Sequence, residues 1–221
     1  MNPLKKIIVF ALRPLALKFL ARDGEYTRGD TTLLVKKGVF HPGLYFSTEF
    51  LLEEIEKMPL KGKSFLELGC GSGLLSIVAA KRGARVVSSD INPEAISCTR
   101  INAEKNNVRL HLIESDVFAR IPRQVFDIIV INPPFFPQEA KSTAEMAWYC
   151  GAHFEYFEKM FSQIGAFFVP ESLVLMVLSQ DCETDEIKRI AAKNGFVFRL
   201  RTSKRNWFER ENIFEIRKAA A

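Results

Sequence analysis

The sequence is poor in the residues that hold metals or cross-link a chain. Its 221 residues contain four cysteines and three histidines. Cys70, Cys98, Cys150 and Cys182 lie far apart with no C-x-x-C pair, which fits neither a zinc cluster nor a disulfide framework. They read as reduced thiols in a cytoplasmic protein. His41, His111 and His153 have no local partners at ligand spacing, so no metal site is expected. Long apolar runs are missing too. Residues 4–20 are strongly apolar, but Arg13 and Lys18 interrupt them, far short of the ~20 residues that a membrane span needs. Lys5 and Lys6 precede this run as in a secretory leader, yet no small-residue cleavage site follows cleanly. The stretch reads as one or two amphipathic helical segments broken at Pro14, covered by the rest of the chain rather than by a membrane.

Nor is there a single sign of charge throughout. Residues 1–41 carry eight basic and three acidic groups, and residues 185–221 carry ten and five, so each end is at +5 while the middle is at −5. Basic ends around an acidic middle suit a polyanionic partner such as RNA, or form a solvated surface. Hydrophobic content of 48% and charged content of 26% are ordinary for a globular chain, and the length suggests one domain with room for an appendage.

One more absence bears on the ligand. The run Lys63–Ala79 reads as a short apolar strand, a turn with three glycines, and an apolar helix start. Such a turn makes a nucleotide pocket at the carboxyl edge of a parallel sheet. A dinucleotide fingerprint counted from Gly69 needs glycine at position 74, which is Leu74. What stands instead is Glu67-x-Gly69-x-Gly71-x-Gly73. This resembles the first motif of class I S-adenosylmethionine (SAM) methyltransferases; taken alone, it is also compatible with a tight turn in another α/β protein. The resemblance implies SAM as cofactor, with Glu67 near its ammonium group and Gly69, Gly71 and Gly73 against its methionine and ribose.

Upstream, residues 25–40 look like a small hairpin turning at Arg28-Gly29-Asp30. Ser47 reads as the N-cap of a helix that buries Phe50, Leu51, Leu52 and Ile55. Polar residues at that start either cap the helix or face the glycine-turn pocket, and Thr48 is the candidate cofactor contact there. Downstream, strand and helix alternate. Ala84–Ile91 reads as a strand ending at Asp90, which lies 19 residues past Gly71, near the ~20 expected for an acid that binds ribose hydroxyls. Asn92-Pro93-Glu94 opens a helix to about Asn106, and Val108–Ile113 is the next strand. In the methyltransferases that the glycine motif resembles, an acid just past this strand contacts the adenine amino group, which makes Asp116 the candidate; as isolated acids at strand ends, Asp90 and Asp116 also fit plain turn residues.

The fourth strand of the series, Phe126–Ile131, runs into Asn132-Pro133-Pro134-Phe135. Prolines make this a rigid lip. A planar amine or amide nitrogen has a delocalised lone pair and is a poor nucleophile. The Asn132 side-chain oxygen and the Pro133 carbonyl can accept its two N–H bonds, aiming the lone pair at a sulfonium methyl, while Phe135 stacks on the planar group. The sequence as a whole is similar to Asn-Pro-Pro-(Tyr/Phe) amino-methyltransferases with a small methyltransferase domain. Within them it most resembles HemK-type release-factor glutamine methyltransferases. The shared residues are Phe50-Leu-Leu-Glu-Glu-Ile, Leu66-Glu-Leu-Gly-Cys-Gly-Ser-Gly, Asp90-Ile-Asn-Pro-Glu-Ala, Thr99, Asn106-Asn-Val, Asn132-Pro-Pro-Phe, Trp148-Tyr-Cys-Gly151 and Glu209-Arg-Glu-Asn-Ile-Phe-Glu-Ile. The implied activity is methylation of a protein glutamine side chain. Two departures stand out. Phe135 replaces the Tyr usual in glutamine methyltransferases, and Phe there is common in members that modify adenine or guanine amines in RNA or DNA. Residues 1–44 have no counterpart in the compact archaeal–eukaryotic branch of the HemK-type enzymes, which the chain resembles most, and read as an N-terminal helical and hairpin appendage to a methyltransferase domain over 45–221. A small activating partner subunit and an inactive SAM-binding role are further alternatives.

The rest completes a seven-stranded, mainly parallel Rossmann-like α/β sheet with helices on both faces. Ala144–Ile164 reads as a helix region broken at Gly151, with Trp148 mostly core-facing; Ser172–Leu178 is a strand; Thr184–Asn194 is a helix; Phe196–Arg201 and Asn212–Arg217 close the sheet antiparallel. Between the last two, Lys204–Arg210 mixes bases with Trp207 and Phe208, either an RNA-binding tip or a solvated hairpin.

Overall fold

A computed structural model describes residues 22–44, 46–206 and 210–219. The expectations for residues 4–20, and for Trp207 and Phe208, lie outside these residues. The chain begins with an antiparallel hairpin, β1 (Gly24–Arg28) and β2 (Thr31–Val35), turning at Gly29 with φ of 59°. Then follow α1 (Phe46–Glu56), β3 (Ser64–Leu68), α2 (Leu74–Lys81), β4 (Arg85–Asp90), α3 (Pro93–Lys105), β5 (His111–Glu114) and β6 (Ile128–Ile131). The last elements are α4 (Glu155–Ile164), β7 (Leu173–Ser179), α5 (Thr184–Lys193), β8 (Phe196–Arg205) and β9 (Arg210–Lys218).

Seven strands form the main sheet in the order β5-β4-β3-β6-β7-β9-β8. The five strands from β5 to β7 are parallel, and β9 and β8 close the edge antiparallel. Strand order reverses between β3 and β6, the position where parallel sheets open a ligand crevice beyond their carboxyl ends. Both faces of the sheet are covered, so its central strands are apolar on both sides. Phe65, Ile128, Val130, Leu175 and Val177 pack with α1 and α2. Leu66, Leu68, Ile129, Ile131, Val174 and Met176 pack with α4 and α5 on the other face.

Several boundaries differ from the sequence expectation. The first helix begins at Phe46, so Ser47 lies inside its first turn and is not its N-cap. The third parallel strand starts at His111, because α3 ends on Asn106 and Asn107 takes φ of 55°. Val108 then donates back to the Ala103 carbonyl at 3.0 Å and belongs to the helix terminus. Residues 144–164 are not one helix region: a single 3-10 turn, Glu145–Ala147, precedes α4, and Gly151 (φ 89°) and Phe154 (φ 62°) turn the chain between them. The closing pair is longer than expected, since β8 continues through a bulge near Leu200–Thr202 to Arg205.

The hairpin is joined to the sheet layer through side chains. The Asn102 amide on α3 accepts from Leu34 N–H at 2.7 Å and donates to the Leu34 carbonyl at 2.7 Å, standing in for a neighbouring strand. Leu33 enters the same apolar cluster as α1 and α2. Among the described residues no helix is long and apolar enough to cross a membrane, and no group of His, Cys, Asp and Glu could hold a metal ion.

Candidate active site

The turn between β3 and α2 is built from backbone that only glycine adopts readily. Gly69, Gly71 and Gly73 have φ of 82°, 53° and 84°. At Gly73 a Cβ would lie 2.6 Å from the Thr99 methyl carbon, so α3 packs directly on that glycine. Gly73 also leaves α2 without a side-chain cap. Glu67, two residues before Gly69, takes over that task from the strand beneath. Its Oε2 accepts from the Ser76 amide at 2.9 Å and from the Ser76 hydroxyl, which in turn meets Ser88 Oγ at 2.6 Å. Burial pushes the Glu67 carboxyl up to about 8, against the lowering effect of those donors.

Asp90 ends β4 and faces the same turn. Its Oδ2 accepts from Gly71 N–H and its Oδ1 from Asn92 N–H, both at 2.9 Å. Burial still holds its carboxyl above the usual range. Asn92 caps α3 by accepting from Glu94 N–H at 3.0 Å, with Pro93 at the first helical position as the sequence suggested. Asp116, beyond β5, pairs with Lys159 of α4.

Beyond β6, Asn132 is half-buried and Pro133 is buried. The lip they begin is stitched down. Phe135 and Phe136 N–H both donate to the Trp148 carbonyl, at 3.2 and 3.0 Å, and Cys150 N–H donates to the Phe136 carbonyl at 3.0 Å. The Asn132 amide Nδ2 donates to Thr48 Oγ1 at 3.2 Å, tying the lip to the first turn of α1. Overhead, the Phe40 and Trp148 rings lie 6.4 Å apart.

These pieces enclose one cavity of about 600 Å³. Glu67, Gly69, Gly71, Asp90, Asp116, Thr48, Asn132, Pro133 and Phe135 all line it; of the sequence candidates, Gly73 alone stands behind the turn rather than on the wall. Gly151 lines it as well. Trp148, expected to face the core, is half-buried on the cavity wall. The sequence reading missed Phe40, Tyr156 and Lys159. The last two lie three residues apart on α4, a spacing that places them on one helix face, but nothing in the sequence says which face meets the cavity.

A family model described as "Methyltransferase small domain" matches residues 30–152, from the hairpin through the lip and its stitching. The chain belongs to that family. Its fold and cofactor are those of the SAM-dependent methyltransferases. A "Putative protein N5-glutamine methyltransferase" of Methanocaldococcus jannaschii is 42% identical over 101 residues, 44% of this chain and 50% of that one. The "Ribosomal protein L11 methyltransferase" of Azotobacter vinelandii is 38% identical over 106 residues, 47% of this chain and 36% of that one. The chain thus matches about half the length, or less, of these curated relatives. Among solved structures, the E. cuniculi Mtq2–Trm112 complex, described as methylating the eRF1 translation termination factor, aligns with a TM-score of 0.62 at 19% identity, over 82% of this chain and 99% of that one. A T. thermophilus 16S rRNA N2 G1207 methyltransferase with AdoMet and guanosine aligns with a TM-score of 0.61 at 19% identity, over 90% of this chain and 50% of that one. At such identities these two likenesses concern the fold.

The residues present fit SAM. The bare turn at Gly69 meets no atom within 4 Å of where a Cβ would stand, leaving space for a ligand to lie on the backbone. The carboxylates of Asp90 and Asp116 and the apolar side chains of Ile91 and Val117 line the same cavity, a mixed polar and apolar lining of the kind a nucleoside takes.

Proposed function

We propose that this chain methylates an amide or exocyclic amino nitrogen, and that the acceptor is the side chain of a protein glutamine. One observation carries the reaction type: Asn132, Pro133 and Phe135 stand on a stitched lip over the same cavity that the glycine turn floors. Bound SAM supplies an electrophilic methyl on a sulfonium sulfur, which leaves as a neutral thioether with the bonding electron pair. The chain's own task is to hold the acceptor. Asn132 Oδ1 and the Pro133 carbonyl take the two N–H bonds of the acceptor nitrogen. That orients its lone pair along the line of attack and stabilises the positive charge that grows there. Phe135 covers the flat face of the amide. The nitrogen passes its proton to solvent water after the new N–C bond forms, so no strong base is needed before attack. Glu67, Gly69, Gly71, Asp90 and Asp116 form the cofactor side of the proposal, with Gly73 holding the turn against α3.

Two observations favour a protein over a nucleic acid. The relative with 42% identity is named for glutamine. In addition, apart from the Asp116–Lys159 pair, the acceptor side of the described cavity wall carries the carboxylates Glu139 and Glu155 and no further cation. A polyphosphate backbone meets repulsion there. A nucleobase amine is the second reading, supported by Phe135 and by the fold's likeness to a guanine methyltransferase. We place the reaction in the cytoplasm and include a small activating subunit as a candidate partner, since one structural neighbour was solved as a complex of two proteins.

The test is transfer of labelled methyl from SAM into a methylation-deficient cell extract, with Asn132→Ala as control. We expect protease-sensitive label that hydrolysis releases as methylglutamine, and a loss of about 100-fold or more with Asn132→Ala. Label lost only to nuclease would move the function to the second reading. No label above the Asn132→Ala control, with or without a partner subunit, would leave an inactive SAM-binding protein.

A further inference from the structure

We infer that Thr48 is a positioning residue that sets the orientation of the Asn132 amide. The inference rests on the proposed role of Asn132 as an acceptor. A primary amide has one donating and one accepting end of nearly equal size. Only one of its two orientations serves the reaction. With Oδ1 toward the acceptor nitrogen, Asn132 receives an N–H bond; with Nδ2 there, two N–H groups face each other. The side chain is half-buried at the end of β6, and Nδ2 donates to Thr48 Oγ1 at 3.2 Å. With Nδ2 so engaged, Oδ1 is directed away from Thr48.

Thr48 comes from 84 residues earlier in the chain, so its place depends on how α1 is held. On one side Tyr26 Oη donates to Glu49, the next residue, while Arg28 donates to Glu49 at 3.4 Å and to Glu56 at 2.9 Å. On the other side Lys204 Nζ donates to Glu53 at 2.6 and 2.7 Å, and Arg201 Nε donates to Glu54 at 3.2 Å. The helix is gripped by the hairpin and by the far edge of the sheet, which fixes its first turn against the lip. Thr48 is itself buried. Thr48 thus serves the acceptor side through Asn132, a different task from touching the cofactor.

Three variants separate these roles. Thr48→Val keeps the shape and removes the acceptor oxygen, Thr48→Ser keeps the oxygen, and Asn132→Ala removes the amide. Each is measured for SAM affinity by equilibrium dialysis, for kcat and KM of transfer, and for the Asn132 side-chain NH₂ signals in ¹⁵N–¹H spectra, assigned by their loss in Asn132→Ala. We expect Thr48→Val to lower kcat by about 10- to 100-fold, the scale of a misplaced reacting group, with SAM affinity and KM within about twofold. Its Asn132 NH₂ protons should lose protection from solvent exchange, and Thr48→Ser should restore both readouts. Weaker SAM binding by Thr48→Val with unchanged NH₂ signals would overturn the inference and make Thr48 a cofactor contact. Full kcat in Thr48→Val would overturn it as well. An inactive wild-type protein would instead remove the proposed function.

Discussion

Glu67 shows how one side chain does structural work inside a ligand site. It sits at the cavity wall, yet its hydrogen bonds run to the Ser76 amide and hydroxyl at the start of α2. Burial is the dominant influence and moves its carboxyl from the ordinary range to about 8. The linkage has a definite sign. Between the unfolded value near 4.5 and the folded value near 8, the folded chain keeps a proton that the unfolded chain has released. Stability from this group therefore falls as pH rises across that window. Glu67→Gln keeps an acceptor oxygen for Ser76 and removes the titration. Thermal unfolding from pH 5 to 8 should show a shallower decline in Tm for Glu67→Gln than for the wild type; parallel curves would exclude a raised carboxyl at this position. The motif around Glu67 was readable in the sequence because its chemistry is local: a strand end, three glycines and a helix start in consecutive residues. Asp90 and the Asn132–Phe135 lip were readable for the same reason. Lys159 was not, because its pairing with Asp116 spans 43 residues and depends on how α4 lies across the sheet.

At the level of elements, the hairpin and α3 are coupled by one amide. Asn102 is fully buried and satisfies three backbone groups: Leu34 N–H, the Leu34 carbonyl and, at 2.9 Å, the Ser72 carbonyl inside the glycine turn. It therefore joins β2 to the loop that floors the cavity. Removing it takes a partner from the Leu34 N–H and from the Ser72 carbonyl, while the Leu34 carbonyl keeps the Cys98 thiol at 3.2 Å; the cost is about 1–3 kcal/mol for a buried unsatisfied group. Asn102→Ala should lower the stability by an amount in or above that range, and hydrogen exchange at the Leu34 amide should speed up more than at the central strands β3 and β6. An unchanged Leu34 exchange rate would mean that the hairpin is held by Leu33 packing and the ion pairs to α1. The sequence announced the hairpin through Gly29 and the β-rich Thr31–Val35. It could not announce the docking, which rests on an asparagine in the middle of a helix, a position where the residue's ordinary reading is a polar surface site.

At the level of the whole molecule, periodicity and turn residues revealed the sheet: the parallel strands from β3 to β7 are short, each with an apolar pair or run, and are followed by turn chemistry. Its order and the antiparallel closure agree with the family resemblance. What composition suggested about charge reads differently once the chain is folded. The basic C-terminal segment reads in the sequence as a surface for a polyanion or as a solvated face, and in the fold two of its cations are engaged within the chain. Lys204 holds Glu53 and lies over the Phe46 ring at 5.4 Å, and Arg201 holds Glu54. Segregated charge in the sequence here closes the fold, bringing β8 onto α1 across about 150 residues. Lys204→Glu would place two carboxylates together at that contact. Both side chains are more than a third exposed, so solvent screening limits the loss to about 1 kcal/mol. The reversed pair Lys204→Glu with Glu53→Lys should recover much of it, because the attraction returns while the contact with the Phe46 ring does not. Urea unfolding of the wild type, both single variants and the double variant gives the coupling directly. A coupling near zero would release Lys204 for an external partner. In that case the salt dependence of binding to single-stranded RNA should become shallower on Lys204→Glu, whereas a favourable coupling assigns this lysine to holding α1, and with it Thr48, in place.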